Sequence, residues 1–374
     1  MTGQHKPVAF LLGNLTVGGS ETKFVRLANR LAKQGHDVHI LVLGPPYTLL
    51  QQIDDAVKVR CFDRTSKYSV SILLKIREYF LSFRMHSVVC VNPYPIAYGW
   101  PACASLDRVA YRCIASINTS EFVSVRDKFF MPLYGFILRR CDRVVFGCQN
   151  QAAAWTHRYR IAKSRATVIY NGVDTDYFRD DSDQFRQVRD DLLLRQTSSI
   201  IGCVAQFRPE KRHQNLLEAL NRLVNHHHMD VVLILVGDGP EESALRRFVD
   251  LNGLNDNVRF AGQVADVRPY LSLLDVFVMP SIAVEVFSNA MLEAIAMGVP
   301  IVSSDVGGSA EMIEHEREGF IYPRHDVDQL TEYLKTLITD SGLAGQFRNR
   351  AMERLRAAYT IEKMDHQYAD AMWS

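Results

Sequence analysis

The sequence has almost no net charge, no cysteine motif and no long apolar run, and each absence excludes a class of protein. Among 374 residues, 43 Lys and Arg stand against 42 Asp and Glu, which argues against a nucleic-acid partner. The seven cysteines form no C-x-x-C pair, which argues against zinc-binding and redox motifs. They are expected to serve as small apolar residues in a reducing compartment. No signal peptide and no stretch of about 18 apolar residues is found. We expect a cytoplasmic protein that at most lies on a membrane surface.

The charge that is present is divided unevenly along the chain. Residues 1–170 contain 23 Lys and Arg and 10 Asp and Glu, whereas residues 171–374 contain 20 and 32. A basic first half and an acidic second half indicate two domains with different roles. The basic half is suited to attract an anionic surface or the acidic half itself.

Short β-branched runs alternate with helical patterns along the whole length, which is typical of parallel sheets covered by helices. Two such series meet near residue 171. They predict an α/β protein with two doubly wound, Rossmann-like domains facing a cleft, with a ligand at the carboxyl ends of the strands. We expect an N-terminal domain over 1–170, a C-terminal domain over 171–356, and a C-terminal helix within 357–374 that packs back on the N-terminal domain.

Gly18 and Gly19 follow the first predicted strand and precede a long helix. Adjacent glycines at a helix N-terminus leave backbone amides open to a phosphate group. A plain tight turn explains the same two residues, and the full G-x-G-x-x-G fingerprint is absent. A nicotinamide-dependent oxidoreductase is therefore a minor hypothesis.

Arg208 and Lys211 lie three residues apart on the loop after the first strand of the second series. Two cations at such a strand end are suited to neutralise a diphosphate leaving group. A solvated basic loop is the alternative explanation.

Residues 280–300 form the most informative stretch. Glu285 leaves a strand end, and Glu293 follows eight positions later within a helix of apolar and small residues. A carboxylate in such surroundings needs hydrogen-bond partners, and vicinal sugar hydroxyls are suitable ones. The helix N-terminus near Ser288 favours a phosphate group. The alternative makes Ser288 an ordinary N-cap and Glu293 the partner of a buried basic group.

In this order along the chain, the segments resemble the retaining glycosyltransferases of family four, which share the GT-B architecture of two Rossmann-like domains. Nearly the whole chain takes part in the resemblance. The matching segments are residues 17–21, 168–174, 208–211, 235–240 and 275–281, and the two glutamates with seven residues between them.

The resemblance implies that the first domain binds the acceptor and the second a nucleotide sugar. Glu293 would hold the ribose hydroxyls, and Glu285 the donor sugar together with three backbone amides. Arg208, Lys211 and the Gly18–Gly19 turn would hold the diphosphate, and Glu285, Arg208 and Lys211 are the expected catalytic residues. The three amides are those of Phe287, Ser288 and Asn289, and the base-binding loop corresponds to Gln263 and Val264.

Three positions depart from the family pattern. Val286 stands where members usually have glycine. A Cβ at this position is expected to narrow the sugar pocket or to limit the backbone angles of the loop. Gln206 stands where arginine is commonest, so Arg208 would have to substitute for it. Residues 115–119 lack the histidine that many members place near the donor sugar, and no catalytic histidine is assigned.

We predict a metal-independent enzyme that moves a hexose or N-acetylhexosamine from a UDP- or GDP-sugar to a glycan, with retention and without a cofactor. The acceptor is expected to be lipid-linked or a polysaccharide precursor. Adjacent histidines at 226–228 point in different directions on a helix and predict no metal site. Two alternatives stay open: a weak or inactive nucleotide-sugar-binding protein, and a sugar epimerase of the same fold.

Basic residues of the first domain suggest peripheral contact with an anionic membrane. Each Lys or Arg near anionic lipid contributes on the order of 1 kcal/mol, so three or four on one face suffice. Segment 128–140 mixes aromatic and basic residues as a membrane-facing helix does. Pro132 is expected to break that helix, and burial of the segment against the sheet is the favoured interpretation. The candidate cations are Arg64, Lys67, Arg126, Lys128, Arg139 and Arg140.

Overall fold

The computed structural model divides the chain into two compact units. The first comprises Met1–Tyr170 and Met364–Ser374, and the second Asn171–Lys363. The last segment thus joins the first unit at residue 364, whereas the sequence pattern predicted this boundary at residue 357. The structure describes residues 6–64, 66, 69–107, 111–119, 125–179, 182–195, 198–283 and 285–374, apart from the side chains of 125–130, 182–184 and 186.

The first unit is built on seven parallel strands in the order β3-β2-β1-β4-β5-β6-β7. Strands β1, β2 and β4 are buried along their whole length, as expected for apolar runs covered on both faces of a parallel sheet. The strands are β1 Val8–Leu12, β2 Val38–Val42, β3 Lys58–Cys61, β4 Ser87–Val91, β5 Arg112–Ile117, β6 Arg143–Phe146 and β7 Ala166–Val168.

Within the described part of this unit, five α-helices connect these strands. The expectation that Pro132 breaks the fourth helix is wrong, because the helix continues through it. Met131 and Tyr134 are buried on one face, and this packing outweighs the one backbone hydrogen bond that proline removes. The helices are α1 Gly19–Lys33, α2 Val70–Phe83, α3 Pro93–Ala104, α4 Val125–Leu138 and α5 Gln149–Tyr159.

The second unit is built on six parallel strands in the order β10-β9-β8-β11-β12-β13. Chain order reverses between β8 and β11, as it does between β1 and β4 in the first unit. Open α/β sheets bind ligands at the carboxyl ends of the strands beside such a reversal. The strands are β8 Ser199–Val204, β9 Val231–Val236, β10 Val258–Gly262, β11 Val276–Met279, β12 Ile301–Ser304 and β13 Phe320–Tyr322.

The helices of the second unit cover both faces of its sheet. The second of them is continued by a π-helical turn, Arg222–His226. No helix within the described ranges has the length and apolar character to cross a membrane. The helices are α6 Ser182–Asp191, α7 His213–Asn221, α8 Glu242–Leu251, α9 Arg268–Leu271, α10 Asn289–Ala296, α11 Ser309–Met312, α12 Val327–Thr339 and α13 Ser341–Ala358.

The last helix, α14 (Ile361–Trp373), packs on α1 through residues of the first unit. The Arg30 guanidinium donates two hydrogen bonds to the carboxylate of Asp365, at 2.5 and 2.8 Å. The ring of Tyr368 meets that of Phe24 edge-on, with centroids 5.5 Å apart. The first unit is therefore completed by residues that follow the whole second unit in the sequence.

Candidate functional site

Lys211 and Glu285 lie on loops that follow two neighbouring strands. Lys211 ends a short 3₁₀ turn after β8, and Glu285 lies between β11 and α10. The two strands pair directly, with Ile201 opposite Val276, and they flank the reversal of the sheet. The topology therefore brings two residues that are 74 positions apart to one point at the carboxyl edge.

The ammonium group of Lys211 and the carboxylate of Glu285 form a hydrogen-bonded ion pair, with side-chain exposures of 24% and 12%. The buried hydroxyl of Ser281 donates to the same carboxylate oxygen at 3.3 Å. The amide of Ile282 donates to the carbonyl of Glu210 at 2.9 Å, which ties the two loops together. Because the pair is partly desolvated, its charges act more strongly than on an open surface.

Cys203, on β8, is close enough to the pair to be influenced by both charges. Burial raises the pKa of its thiol to about 12, while Lys211 lowers and Glu285 raises that pKa. The thiol is therefore protonated near neutral pH and is not a nucleophile. Its contribution is packing behind the ion pair.

Two hydrogen bonds to backbone carbonyls hold the loop that carries Glu285. The side-chain amide of Asn171 donates to the carbonyl of Phe287 at 2.7 Å. The backbone amide of Gly308 donates to the carbonyl of Val286, also at 2.7 Å. The residues from 285 to 287 are thus fixed by segments that are distant in the sequence.

The backbone of this loop requires glycine at position 307. Gly307 has φ +58°, and a Cβ at this position would lie 2.3 Å from the carbonyl oxygen of Glu285. Val286 has no positive φ, and its side chain is buried. The valine therefore needs no backbone conformation that favours glycine. Sequence reasoning missed Gly307, whose need for glycine arises only from its approach to the Glu285 loop.

Helix α10 begins directly after the loop. Ser288 is its N-cap, and its hydroxyl accepts a hydrogen bond from the amide of Met291 at 3.3 Å. The buried ring of Phe287 packs on Tyr359, with centroids 5.1 Å apart. These two side chains serve the fold, and Asn289 opens the helix half-buried. First-turn amides of a helix lack intrahelical acceptors and favour an anion.

The other predicted donor-binding residues lie along the same edge of the sheet. Glu293 is half-buried on α10, five residues after the N-cap. Gln263 is exposed and Val264 half-buried after β10. Strand β10 is two positions from β8 in the sheet, a separation of about 10 Å at the usual strand spacing. The structure thus groups Lys211, Glu285 and the start of α10, and places 263–264 farther along the edge.

Two glycines of the matching segment 235–240 shape the loop after β8. A Cβ at Gly237 would lie 2.1 Å from the carbonyl oxygen of Ala205, and one at Gly239 2.6 Å from that of Phe207. The amide of Phe207 also donates to the carbonyl of Asp238 at 2.6 Å. The loop after β9 therefore packs against the loop after β8 at a distance that only glycine permits.

Arg208 lies in the same turn as Lys211, whose backbone amide donates to the Arg208 carbonyl at 2.9 Å. Arg208 is exposed and lines a pocket of about 220 Å³ together with Arg212 and Arg247. Within the described residues, its guanidinium has no hydrogen-bond or ion-pair partner. The two cations of this turn differ in their contacts, since Lys211 pairs with Glu285 while the Arg208 side chain lines this pocket.

Gly18 and Gly19 open α1 in the first unit. Gly18 is the N-cap and has extended backbone. One turn later, the ammonium group of Lys23 donates to Asn118 at 2.6 Å and to Tyr368 at 3.4 Å. Burial lowers the pKa of Lys23 to about 7, against a smaller opposite effect of a nearby carboxylate. Sequence reasoning missed this lysine, although its spacing of four and eight residues from buried leucines on α1 was a signal.

The described side chains include no group of three or more His, Cys, Asp or Glu arranged to hold a metal ion. The histidines at 226–228 are all exposed at the end of the π-helical turn.

Two family models match successive parts of the chain. The model described as Glycosyltransferase Family 4 matches residues 17–177, and the one described as Glycosyl transferases group 1 matches residues 198–340. Together they reach both units, and the gap between them, residues 178–197, begins a few residues after the junction at residue 171.

Individual proteins agree with the family models. The N-acetyl-alpha-D-glucosaminyl L-malate synthase of Bacillus anthracis is 25% identical over 94% of this chain and 93% of its own length. A GDP-mannose-dependent alpha-(1-6)-phosphatidylinositol monomannoside mannosyltransferase of Mycobacterium tuberculosis is 29% identical over 64% of this chain and 65% of its own. The crystal structure of Anabaena Alr3699/HepE in complex with UDP has the same fold, with a TM-score of 0.86, 19% identity and coverage of 98% and 99%. From the two doubly wound sheets, the ordered segments and both family models, we conclude that the chain belongs to the glycosyltransferases of family four, transferases with the GT-B fold.

Proposed function

We propose that this protein transfers a hexose or N-acetylhexosamine from a UDP- or GDP-sugar to a glycan, with retention of anomeric configuration. The observation that carries the proposal is the Lys211–Glu285 pair beside the N-terminus of α10. A cation, a carboxylate and helix amides around one point suit a sugar joined to a diphosphate. The relatives named after GDP-mannose and N-acetylglucosamine, and the fold relative in complex with UDP, support a nucleotide-sugar donor.

The donor is proposed to lie along the carboxyl edge of the second sheet. Its diphosphate meets Lys211 and the first amides of α10, and its sugar hydroxyls meet Glu285. The nucleoside extends toward residues 263–264, with Glu293 on the ribose. Gly18 and Gly19 keep their proposed role as phosphate-binding amides at the start of α1. The first-turn amides are those of Phe287, Ser288 and Asn289.

The transfer is proposed to proceed by front-face attack. The bond from the anomeric carbon to the phosphate oxygen breaks while the acceptor oxygen bonds to the same carbon, and the departing diphosphate takes the acceptor proton. Negative charge on the phosphate grows toward the transition state, so Lys211 and the α10 amides stabilise that state most. These groups would take the role of a divalent ion, and the transfer needs no cofactor. Family membership favours such a transfer over an inactive binding protein or an epimerase.

Glu293→Ala is expected to weaken the binding of UDP or GDP by roughly 10- to 100-fold, because hydrogen bonds to a charged group contribute about 1.5–3 kcal/mol. Calorimetry with the two nucleotides measures this, and urea unfolding measures stability. Glu332→Ala, at an exposed position on α12, removes the same charge and should leave affinity unchanged. Undiminished affinity in a destabilised Glu293→Ala protein would show that this carboxylate serves the fold.

The acceptor is proposed to be lipid-linked or a polysaccharide precursor, met by the first unit at the inner face of the membrane. Leu133 and Phe136 of α4 are 49% and 41% exposed, next to the exposed Arg139 and Arg140. The Arg140 guanidinium lies 3.5 Å from the centre of the Phe136 ring. Apolar side chains beside arginines suit an anionic interface. The alternative is that these cations only solvate the surface or attract the acidic half of the chain.

The remaining candidate cations carry less of this proposal. Arg64 donates to the hydroxyl of Tyr94 at 2.7 Å and lies 4.7 Å from the centre of its ring. Lys67 and the side chains of Arg126 and Lys128 lie outside the described residues. The test therefore concerns Arg139 and Arg140.

The protein is expected to sediment with anionic vesicles and not with neutral ones, and less so as salt shortens the Debye length from about 10 to 3 Å. Replacing Arg139 and Arg140 by Gln should weaken this binding roughly 30-fold, because each cation contributes about 1 kcal/mol. Arg317→Gln with Arg350→Gln removes the same charge from the second unit and should have little effect. Equal partition into both vesicle types, or none into either, contradicts the proposal.

A further inference from the structure

A pocket of about 380 Å³ lies at the edge of the second sheet opposite the Lys211–Glu285 pair. Leu274 and Val299, which line it, come just before β11 and β12, whereas the pair follows the carboxyl ends of β8 and β11. The end of α10 and one face of α13 form its sides, and we refer to it as the α10–α13 pocket. Its position separates it from the proposed donor site.

Arginines flank the α10–α13 pocket. Arg348 and Arg356 lie on one face of α13 with Met352 midway between them, and Arg179 lines the pocket from the loop before α6. No carboxylate is among its described lining residues. Within the described ranges, none of the three arginines has an ion-pair or hydrogen-bond partner.

This composition differs from its surroundings, because residues 171–374 contain 32 Asp and Glu and only 20 Lys and Arg. Unpaired arginines beside a pocket with an apolar floor are therefore unexpected in this half of the chain. Arg179 is followed by Asp180 and Asp181, which lie outside the described residues. The inference accordingly rests on Arg348 and Arg356.

The arginines are not needed to cap α10. The last carbonyls of that helix accept hydrogen bonds from the backbone amides of Met297, Gly298 and Val299, at 2.9–3.0 Å. A helix C-terminus satisfied in this way has little further need for cationic side chains. The positive charge at the pocket is thus available to a ligand.

The floor of the pocket is apolar. Phe178, Leu271, Leu274 and Met297 are buried there, and the half-buried Met352 lies between the two arginines of α13. Methionine adapts its shape to irregular apolar groups. A ligand that fills this pocket therefore needs an apolar body as well as an anionic group.

We propose that the α10–α13 pocket binds a phosphate monoester whose ester group is a hydrocarbon. A phosphate dianion engages more than one guanidinium through its several oxygens, whereas a carboxylate is satisfied by one bidentate arginine. The hydrocarbon covers the apolar floor and the phosphate lies between Arg348 and Arg356. This site is independent of the donor and acceptor sites proposed above.

Octyl phosphate, used below its critical micelle concentration, is the probe that tests the site by calorimetry. Arg348→Gln and Arg356→Gln should each weaken its binding at least tenfold. Arg350→Gln is the matched control, since this exposed arginine lies on α13 outside the pocket, and it should change affinity by less than twofold. Equal losses in all three variants would show only a general charge effect and overturn the proposal.

Two further arms separate this site from the donor site and identify its ligand. Octyl phosphate should bind equally well in saturating UDP and GDP, and displacement by either nucleotide overturns a separate site. Inorganic phosphate should bind at least tenfold more weakly, and equal affinity overturns the role of the apolar floor. Vesicles containing phosphatidic acid distinguish the source of the phosphate ester. Vesicle binding that is lost in Arg348→Gln supports a lipid headgroup as the ligand of the site. Binding of free octyl phosphate supports a soluble ester as its ligand. Absence of both kinds of binding overturns the proposal.

Discussion

Lys211→Ala is expected to lower kcat for sugar transfer about 100- to 1000-fold, the loss typical of removing one group that stabilises developing negative charge. The KM for the nucleotide sugar should change much less, because Lys211 opposes a charge that grows toward the transition state. Steady-state kinetics with the nucleotide sugar that the unaltered protein uses fastest measures both constants. A kcat within threefold of the original value would remove Lys211 from the mechanism.

The ion pair allows a double-mutant test of the same assignment. Glu285→Gln retains the size of the side chain and removes its charge, so it should also lower kcat. Combined with Lys211→Ala, it should lose less than the product of the two single losses, because the residues act as a pair. Arg208→Ala serves as the comparison. The sequence predicts for it a loss like that of Lys211→Ala, and a loss below tenfold would show that the exposed Arg208 does not stabilise the leaving diphosphate.

Gly307→Ala is expected to displace the loop that carries Glu285 and lower kcat/KM at least tenfold. The new Cβ would lie 2.3 Å from the Glu285 carbonyl oxygen and 2.8 Å from its carbon, and both are backbone atoms that move only with the loop. The positive φ adds a strain of about 1–2 kcal/mol for a residue with a side chain. Urea unfolding and transfer kinetics together measure the two effects.

Gly253→Ala is the control for the backbone conformation alone. Gly253 has φ +64°, but a Cβ there meets nothing within 4 Å. Gly253→Ala should lower the free energy of unfolding by about this strain energy and keep full activity. If Gly307→Ala and Gly253→Ala have the same activity and stability, the close approach of residue 307 to Glu285 does not affect function.

The fold was predictable because its signals are local. The apolar runs of β1 and β9, each between turn residues, predict buried parallel strands, and the alternation of strands with helices predicts doubly wound sheets. The prediction of a family-four glycosyltransferase with the GT-B fold is confirmed. The passage of α4 through Pro132 was not predictable, since the packing of neighbouring side chains overrides a local helix breaker there.

Candidate site residues could be chosen one by one from the sequence, but their arrangement could not. The residues Lys211, Glu285 and Ser288 stand out because each follows a strand or begins a helix. Their order along the chain does not show that Lys211 pairs with Glu285, because that contact depends on β8 lying beside β11. Gly307 was missed for the same reason: its constraint comes from a segment more than twenty residues away.

The helix α14 has a consequence for how the protein folds during synthesis. The contacts of Arg30 and Phe24 with Asp365 and Tyr368 must wait until the ribosome has made the entire second unit. At about 5–20 residues per second, those roughly 190 residues take about 10–40 s. Throughout that time, this part of α1 lacks its native cover and is open to chaperones or to misfolding. Slow translation of the second unit should therefore lower the yield of native protein more than equally slow translation of the first.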